Sequence, residues 1–157
     1  MRFQRILITT DFSTCAEAAL ELAAESCMTD GSKITLLNVC NSYTASPDAE
    51  AVPFPPLPAL LSDHREACRA AALNRFQELA RERFSGQEVR CELVYPKSSV
   101  GEEISAFAKQ DSADLIIMGS RGHTRLSSLI IASTVQRVLL TAHCPVLVVR
   151  PKEQMVA

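Results

Sequence analysis

What the chain lacks narrows its class before any motif is read. No two of its six cysteines, at positions 15, 27, 40, 68, 91 and 144, lie closer than twelve residues. That spacing excludes a Cys-x-x-Cys redox pair and a zinc clip. The three histidines, His64, His123 and His143, are scattered and form no ligand pair, so no metal site made by the protein alone is expected. No apolar run reaches the roughly 18 residues of a membrane span. Met1 to Arg5 leads directly into a short strand-like run, too short for a secretory signal, and the protein is read as cytoplasmic. Basic residues are not in excess: 16 Lys and Arg stand against 18 Asp and Glu, a net charge of -2. That balance argues against a general nucleic-acid binder.

What is present is an ordinary globular profile of 157 residues, 47% hydrophobic, long enough for one domain over residues 1–151 with a short tail at 152–157. Most of the cysteines sit among apolar neighbours, where a free thiol behaves as a small hydrophobe, and a redox-sensing role is the minority reading. Arg5 to Thr10 reads as a first strand. Ser13 is placed to cap a helix in which Ala16, Leu20, Ala23 and Cys27 recur at helical spacing, and Asp30-Gly31-Ser32 stops it. Ile34 to Val39 is a second strand. The segment of about 41–62 carries five prolines, Pro47, Pro53, Pro55, Pro56 and Pro58, and reads as a long loop.

From Asp63 to Phe84 the pattern is an amphipathic helix with Ala70, Leu73, Phe76, Ala80 and Phe84 on one face. Val89 to Val94 is a third strand and Val100 to Gln110 a third helix. The last strand is Pro145 to Val149. Strands that alternate with helices and are apolar on both faces predict an α/β fold with a parallel sheet covered on both sides.

The stretch from Asp114 to Leu140 organises the rest. A strand-like run, Leu115 to Met118, stops at Gly119, and Gly122 follows three residues on. A polar, basic segment with Arg121, His123 and Arg125 then leads to Ala132-Ser133-Thr134, where helical spacing resumes through Val135, Val138, Leu139 and Ala142. Strand, glycine loop and helix start can build an anion site from backbone N–H groups and the positive end of a helix dipole. Ser133 and Thr134 suit that turn as N-cap residues or as hydroxyl donors. An ordinary crossover with glycines at its turns accounts for the same letters. Ligands of open parallel sheets bind beyond the carboxyl ends of the strands, where strand order reverses. Asp11, directly after the first strand, is a candidate on that ground, although a carboxylate favoured by the helix dipole explains it without a ligand.

These residues resemble the universal stress protein family from Arg5 to about Pro151. Ile6-Leu7-Ile8-Thr9-Thr10-Asp11-Phe12-Ser13 resembles the family's first strand with its terminal aspartate. Leu36 to Val39 and Pro145 to Val149 resemble its second and last strands. The family's nucleotide motif is glycine, two residues, glycine, nine residues, then glycine followed by serine or threonine. Gly119, Gly122 and Ser133 fall on it, with Ala132 in place of the third glycine.

The resemblance implies a Rossmann-like fold of the adenine nucleotide alpha hydrolase type, an open five-stranded sheet of order 3-2-1-4-5 with helices on both faces. It also implies a homodimer through the last strand, Pro145 to Val149. In ATP-binding members the adenosine lies near the positions of Thr9, Thr10, Asp11, Val39 and Met118. The phosphates lie on those of Gly119, Arg121, Gly122, Ala132, Ser133 and Thr134, commonly with magnesium or manganese. The methyl group of Ala132 matters if that position needs positive φ or backbone contact with phosphate. Thr9 replaces a proline found in many ATP-binding members, and Ser98-Ser99-Val100 stands where a Gly-x-Pro is common.

The expected function is a stress-response regulator that binds ATP as a switch, with a nucleotide-free dimeric adaptor, whose protein partners the sequence does not name, as the alternative. A carboxylate base for the γ-phosphate is not evident, so at most slow hydrolysis is expected.

Overall fold

Strand β1 (Arg5–Thr9) is the middle of five. The computed structural model describes residues 3–27, 31–40, 58–121 and 132–151. β1 pairs in parallel with β2 (Lys33–Val39) on one side and β4 (Leu115–Gly119) on the other. β3 (Val89–Val94) lies outside β2, and β5 (Val146–Val149) lies outside β4, giving the order β3-β2-β1-β4-β5. The fold class and alternation read from the sequence, and the strand order that the family resemblance implied, are all present.

Alternating side chains divide the core into two layers. Ile6, Ile8, Ile34, Leu36, Leu115 and Ile117 face α1 (Thr14–Leu22) and α2 (Pro58–Arg83), meeting Ala19, Leu20, Phe76 and Leu79. Leu7, Leu37, Ile116 and Met118 face α3 (Val100–Gln110) and α4 (Ser133–Thr141), meeting Ile104, Ala108, Val135 and Val138. Both faces of the central strands are dry, which is why β1 and β4 read as unbroken apolar runs and not as alternating ones. Burying each such side chain contributes about 1.5–3 kcal/mol.

Four expectations shift. The long loop does not extend to Ser62, because α2 already begins at Pro58, where a proline's fixed φ suits the first helical turn; residues 41–57 lie outside the described set. Ala70 is exposed; the buried positions of α2 include Ala72, Phe76 and Leu79, with Leu73 and Ala80 half-buried beside them. β1 ends at Thr9, although the Thr10 N–H still bonds the Leu37 carbonyl at 2.9 Å. Leu139 is 51% exposed and Leu140 80%, so neither belongs to the core face of α4. Beyond Leu22, α1 continues as one π-helical turn, Ala23–Cys27.

The amino end of the sheet is tied by one aspartate. Asp111, which ends α3, accepts from the buried Thr35 hydroxyl at 2.9 Å and from Arg90 at 2.6 Å, and its carbonyl accepts from Arg5 at 3.0 Å. One side chain thereby links α3 to β2 and β3.

Candidate functional site

Chain order reverses between β1 and β4: β1 leads outward to β2 and β3, and the chain recrosses to reach β4. Thr9 is in register with Leu37, and Ile8 with Ile117. Thr9, Val39, Met118 and Gly119 therefore finish on one carboxyl edge, the place where such sheets hold ligands. Thr9, Thr10 and Met118 are buried, while Asp11, Val39, Gly119, Arg121, Ala132 and Thr134 are half-buried and Ser133 is exposed. Gly122, His123 and Arg125 lie outside the described residues.

The turn after β1 is locked by its own side chains. Asp11 Oδ1 accepts the Ser13 N–H at 3.0 Å, and Thr10 Oγ1 accepts the Phe12 N–H at 2.9 Å. Ser13 caps α1 by accepting the Ala16 N–H at 3.3 Å.

Gly119 has a structural duty that its place in a motif conceals. A Cβ there would stand 2.7 Å from the carbonyl carbon and oxygen of Cys15 and 2.9 Å from the Ala16 nitrogen. The absent side chain is what lets the first turn of α1 lie against the end of β4. A glycine in this position brings a helix start to the strand end, whether or not a ligand also uses the space.

The start of α4 differs from those of α1 and α3. Ser99 caps α3 in a reciprocal capping box with Glu102. The N-cap of α4 is Ala132, which offers no side-chain acceptor, and Ser133 and Thr134 are already inside the helix. This corrects the expectation that one of those hydroxyl residues would cap it. The Gln136 N–H reaches the Ala132 carbonyl at 3.1 Å, so by helix geometry the N–H groups of Ser133, Thr134 and Val135 have no intrahelical acceptor.

Ala132 has φ -57° and ψ 144°, ordinary extended backbone. Positive φ is not required, and the methyl group sits without strain where the family motif has glycine. The Ala132 N–H donates to the Ser120 carbonyl at 3.3 Å, which sets the helix start against the end of β4. Beside it the Ser120 hydroxyl, 2% exposed, has no hydrogen-bond partner among the described residues.

α3 begins next to α4. A Cβ on Gly101 would meet the Thr134 carbonyl oxygen at 2.9 Å and Arg137 Cβ at 2.6 Å, and Arg137 pairs with Glu102 across the two helices. The positive ends of both dipoles thus share this edge. Among the described residues the arrangement offers first-turn N–H groups without an intrahelical acceptor and a hydroxyl without a partner, with Arg121 next in the chain after Ser120, a set suited to anionic oxygen. Among the described residues, no group of three or more His, Cys, Asp or Glu side chains could hold a metal ion.

A profile of the Universal stress protein family matches residues 2–150. This chain belongs to the universal stress protein family. A universal stress protein of Methanocaldococcus jannaschii is 33% identical over 142 residues, covering 80% of this chain and 81% of its own. The solved structure of the hypothetical protein MJ0577 superimposes with TM-score 0.78 at 26% identity, over 97% of this chain and 99% of that one. A universal stress protein family member from Arabidopsis thaliana, solved with AMP bound, shares the fold with TM-score 0.61 at 18% identity over 96% of this chain and 97% of its own.

Ser120 and Phe12 are the residues of this edge that the letters of the sequence do not announce. A serine after a strand-ending glycine carries no local signal of burial. A phenylalanine after Asp11 carries no signal of the left-handed backbone, φ 63°, that Phe12 adopts. Both properties arise from what packs over them.

Proposed function

We propose that this universal stress protein is a stress-response regulator that binds an adenine nucleotide, with the phosphates at the start of α4, and that ATP is the switching ligand. The observation that carries the proposal is the uncapped helix start: Ala132 supplies no side-chain acceptor for the first-turn N–H groups, and the buried Ser120 hydroxyl beside it has no partner among the described residues. A phosphate oxygen would satisfy both. Asp11, with the backbone at Val39 and Met118, would hold the adenosine, and Arg121 would add positive charge near the phosphates. The AMP complex of the Arabidopsis relative makes an adenine nucleotide the ligand to try. Magnesium or manganese, if it accompanies ATP, would neutralise phosphate charge and draw few ligands from the protein.

The test is calorimetric titration of the purified protein with ATP and magnesium, alongside mass spectrometry of nucleotide carried through purification. Saturable binding that is weakened by Asp11→Ala supports the reading. No heat and no rise in melting temperature up to millimolar ATP overturns it, because a ligand well above its Kd must stabilise the folded state.

The second reading is a homodimer through β5, acting as an adaptor in the cytoplasm. It is favoured by an edge strand that pairs only with β4 among the described residues, and by exposed Leu139 and Leu140 just before it in the chain. Sedimentation at micromolar concentration tests it, and a monomer there would set it aside.

A further inference from the structure

We propose that Phe12 is a positioning residue for Asp11: its ring, seated against Phe76 of α2, holds a left-handed turn that fixes the aspartate at the carboxyl edge. This rests on the reading that Asp11 contacts the nucleotide. Phe12 has φ 63°, and among the described non-glycine residues only Ser112 shares that sign. A bulky side chain in this region is an outlier that persists only where the surroundings over-determine it. Glycine would adopt the same backbone at no steric cost, so the ring must supply what glycine lacks.

The surroundings do over-determine it. The Phe12 ring meets Phe76 edge-on at 5.5 Å between centroids, and Phe76 is fully buried. The Phe12 N–H is bound by Thr10 Oγ1, and the next N–H, of Ser13, by Asp11 Oδ1. The Thr10 carbonyl in turn accepts from Asn38 Nδ2 at 2.7 Å, tying the turn to β2. If Phe12 relaxed to negative φ, the Ser13 N–H would leave Asp11 Oδ1 and the carboxylate would lose that anchor. A fixed carboxylate spares a ligand the entropy of ordering it.

The experiment compares Phe12→Ala, Phe12→Gly, Asp11→Ala and the double variant Phe12→Ala/Asp11→Ala. Two quantities are read: ATP affinity, and amide hydrogen exchange at Phe12 and Ser13 in the ligand-free protein. Phe12→Ala removes the ring but keeps the strain. It should speed exchange at Ser13 and weaken ATP by about tenfold, a size usual for coupled neighbours. Phe12→Gly also removes the ring but permits the turn, and should recover part of the affinity. In the Asp11→Ala background the Phe12→Ala loss should disappear. Equal losses for alanine and glycine, or an undiminished loss without Asp11, would make Phe12 a packing residue only and overturn the proposal. If the parent protein does not bind ATP, the nucleotide reading falls by itself. Exchange then decides the positioning claim: faster Ser13 exchange in Phe12→Ala upholds it, and an unchanged rate overturns it.

Discussion

Gly119 touches the backbone of Cys15 so closely that a Cβ on Gly119 would lie 2.7 Å from the Cys15 carbonyl carbon. The end of β4 and the first turn of α1 are in contact through an absent side chain. Gly119→Ala should therefore cost stability, roughly 1–3 kcal/mol as for other overpacked sites. A urea titration reads it. An unchanged midpoint would mean that α1 can shift away without loss, and that the glycine serves only the loop.

At Ala132 stability and binding should move in opposite directions. Ala132→Asp adds the acceptor that α4 lacks, and a capped start should gain about 1 kcal/mol. The same carboxylate would occupy the N–H groups and repel phosphate, so ATP binding should be lost. Ala132→Gly should keep binding, because the native φ of -57° already suits alanine. Thermal unfolding with and without ATP checks both variants. An aspartate variant that binds ATP as tightly as the parent would place the phosphates elsewhere.

Asp111→Ala should destabilise the amino end of the sheet. It strands the buried Thr35 hydroxyl and takes from Arg90 its link to α3, leaving that guanidinium paired with Glu92. An unsatisfied buried polar group costs about 1–3 kcal/mol. The Thr35→Val partner variant should recover part of that loss, since it removes the orphaned hydroxyl.

Two glutamates give the protein an acid-sensitive end. The Ser99 hydroxyl, with Arg137, holds the Glu102 carboxyl below the usual range. The Lys97 N–H and the Ser98 hydroxyl do the same for Glu103, whose Oε1 accepts from both at 2.9 Å. Because the folded values are depressed, their contribution is complete above the ordinary glutamate pKa of about 4.3 and is lost as pH falls through the lower folded values. Denaturation midpoints measured down that acid range should fall less steeply in Glu102→Gln/Glu103→Gln than in the parent. Parallel curves would contradict the assignment.

The thiols of Cys91 and Cys144 are pushed up by burial first, and then by Glu92 and Asp114 respectively. Less thiolate at neutral pH means slow chemistry. Alkylation by iodoacetamide at these two positions should run slower than for a free cysteine, as peptide mapping over time would show. Fast labelling of either would revive the redox reading.

The sequence by itself determined the strands, their parallel sheet and the family. Those features rest on short-range signals: apolar runs such as Leu115 to Met118, serines such as Ser13 that can cap a helix, and spacing that links Gly119 to Ser133. That Asp11 and Gly119 end on one edge followed once β1 and β4 were neighbours, because a parallel sheet puts every strand's carboxyl end on one edge. Tertiary structure decided the rest. Which face of α2 is buried depends on the rotation of the helix against β3, and that rotation excluded Ala70. Whether Ala132 is strained depends on its φ, which the approach of α4 to Ser120 sets. That Gly119 serves packing, that Ser120 is buried without a partner among the described residues, and that Phe12 is held in a left-handed turn all follow from contacts between segments far apart in the chain. No local pattern encodes such contacts, because each of these residues would be unremarked in isolation and acquires its role only when another element is packed against it.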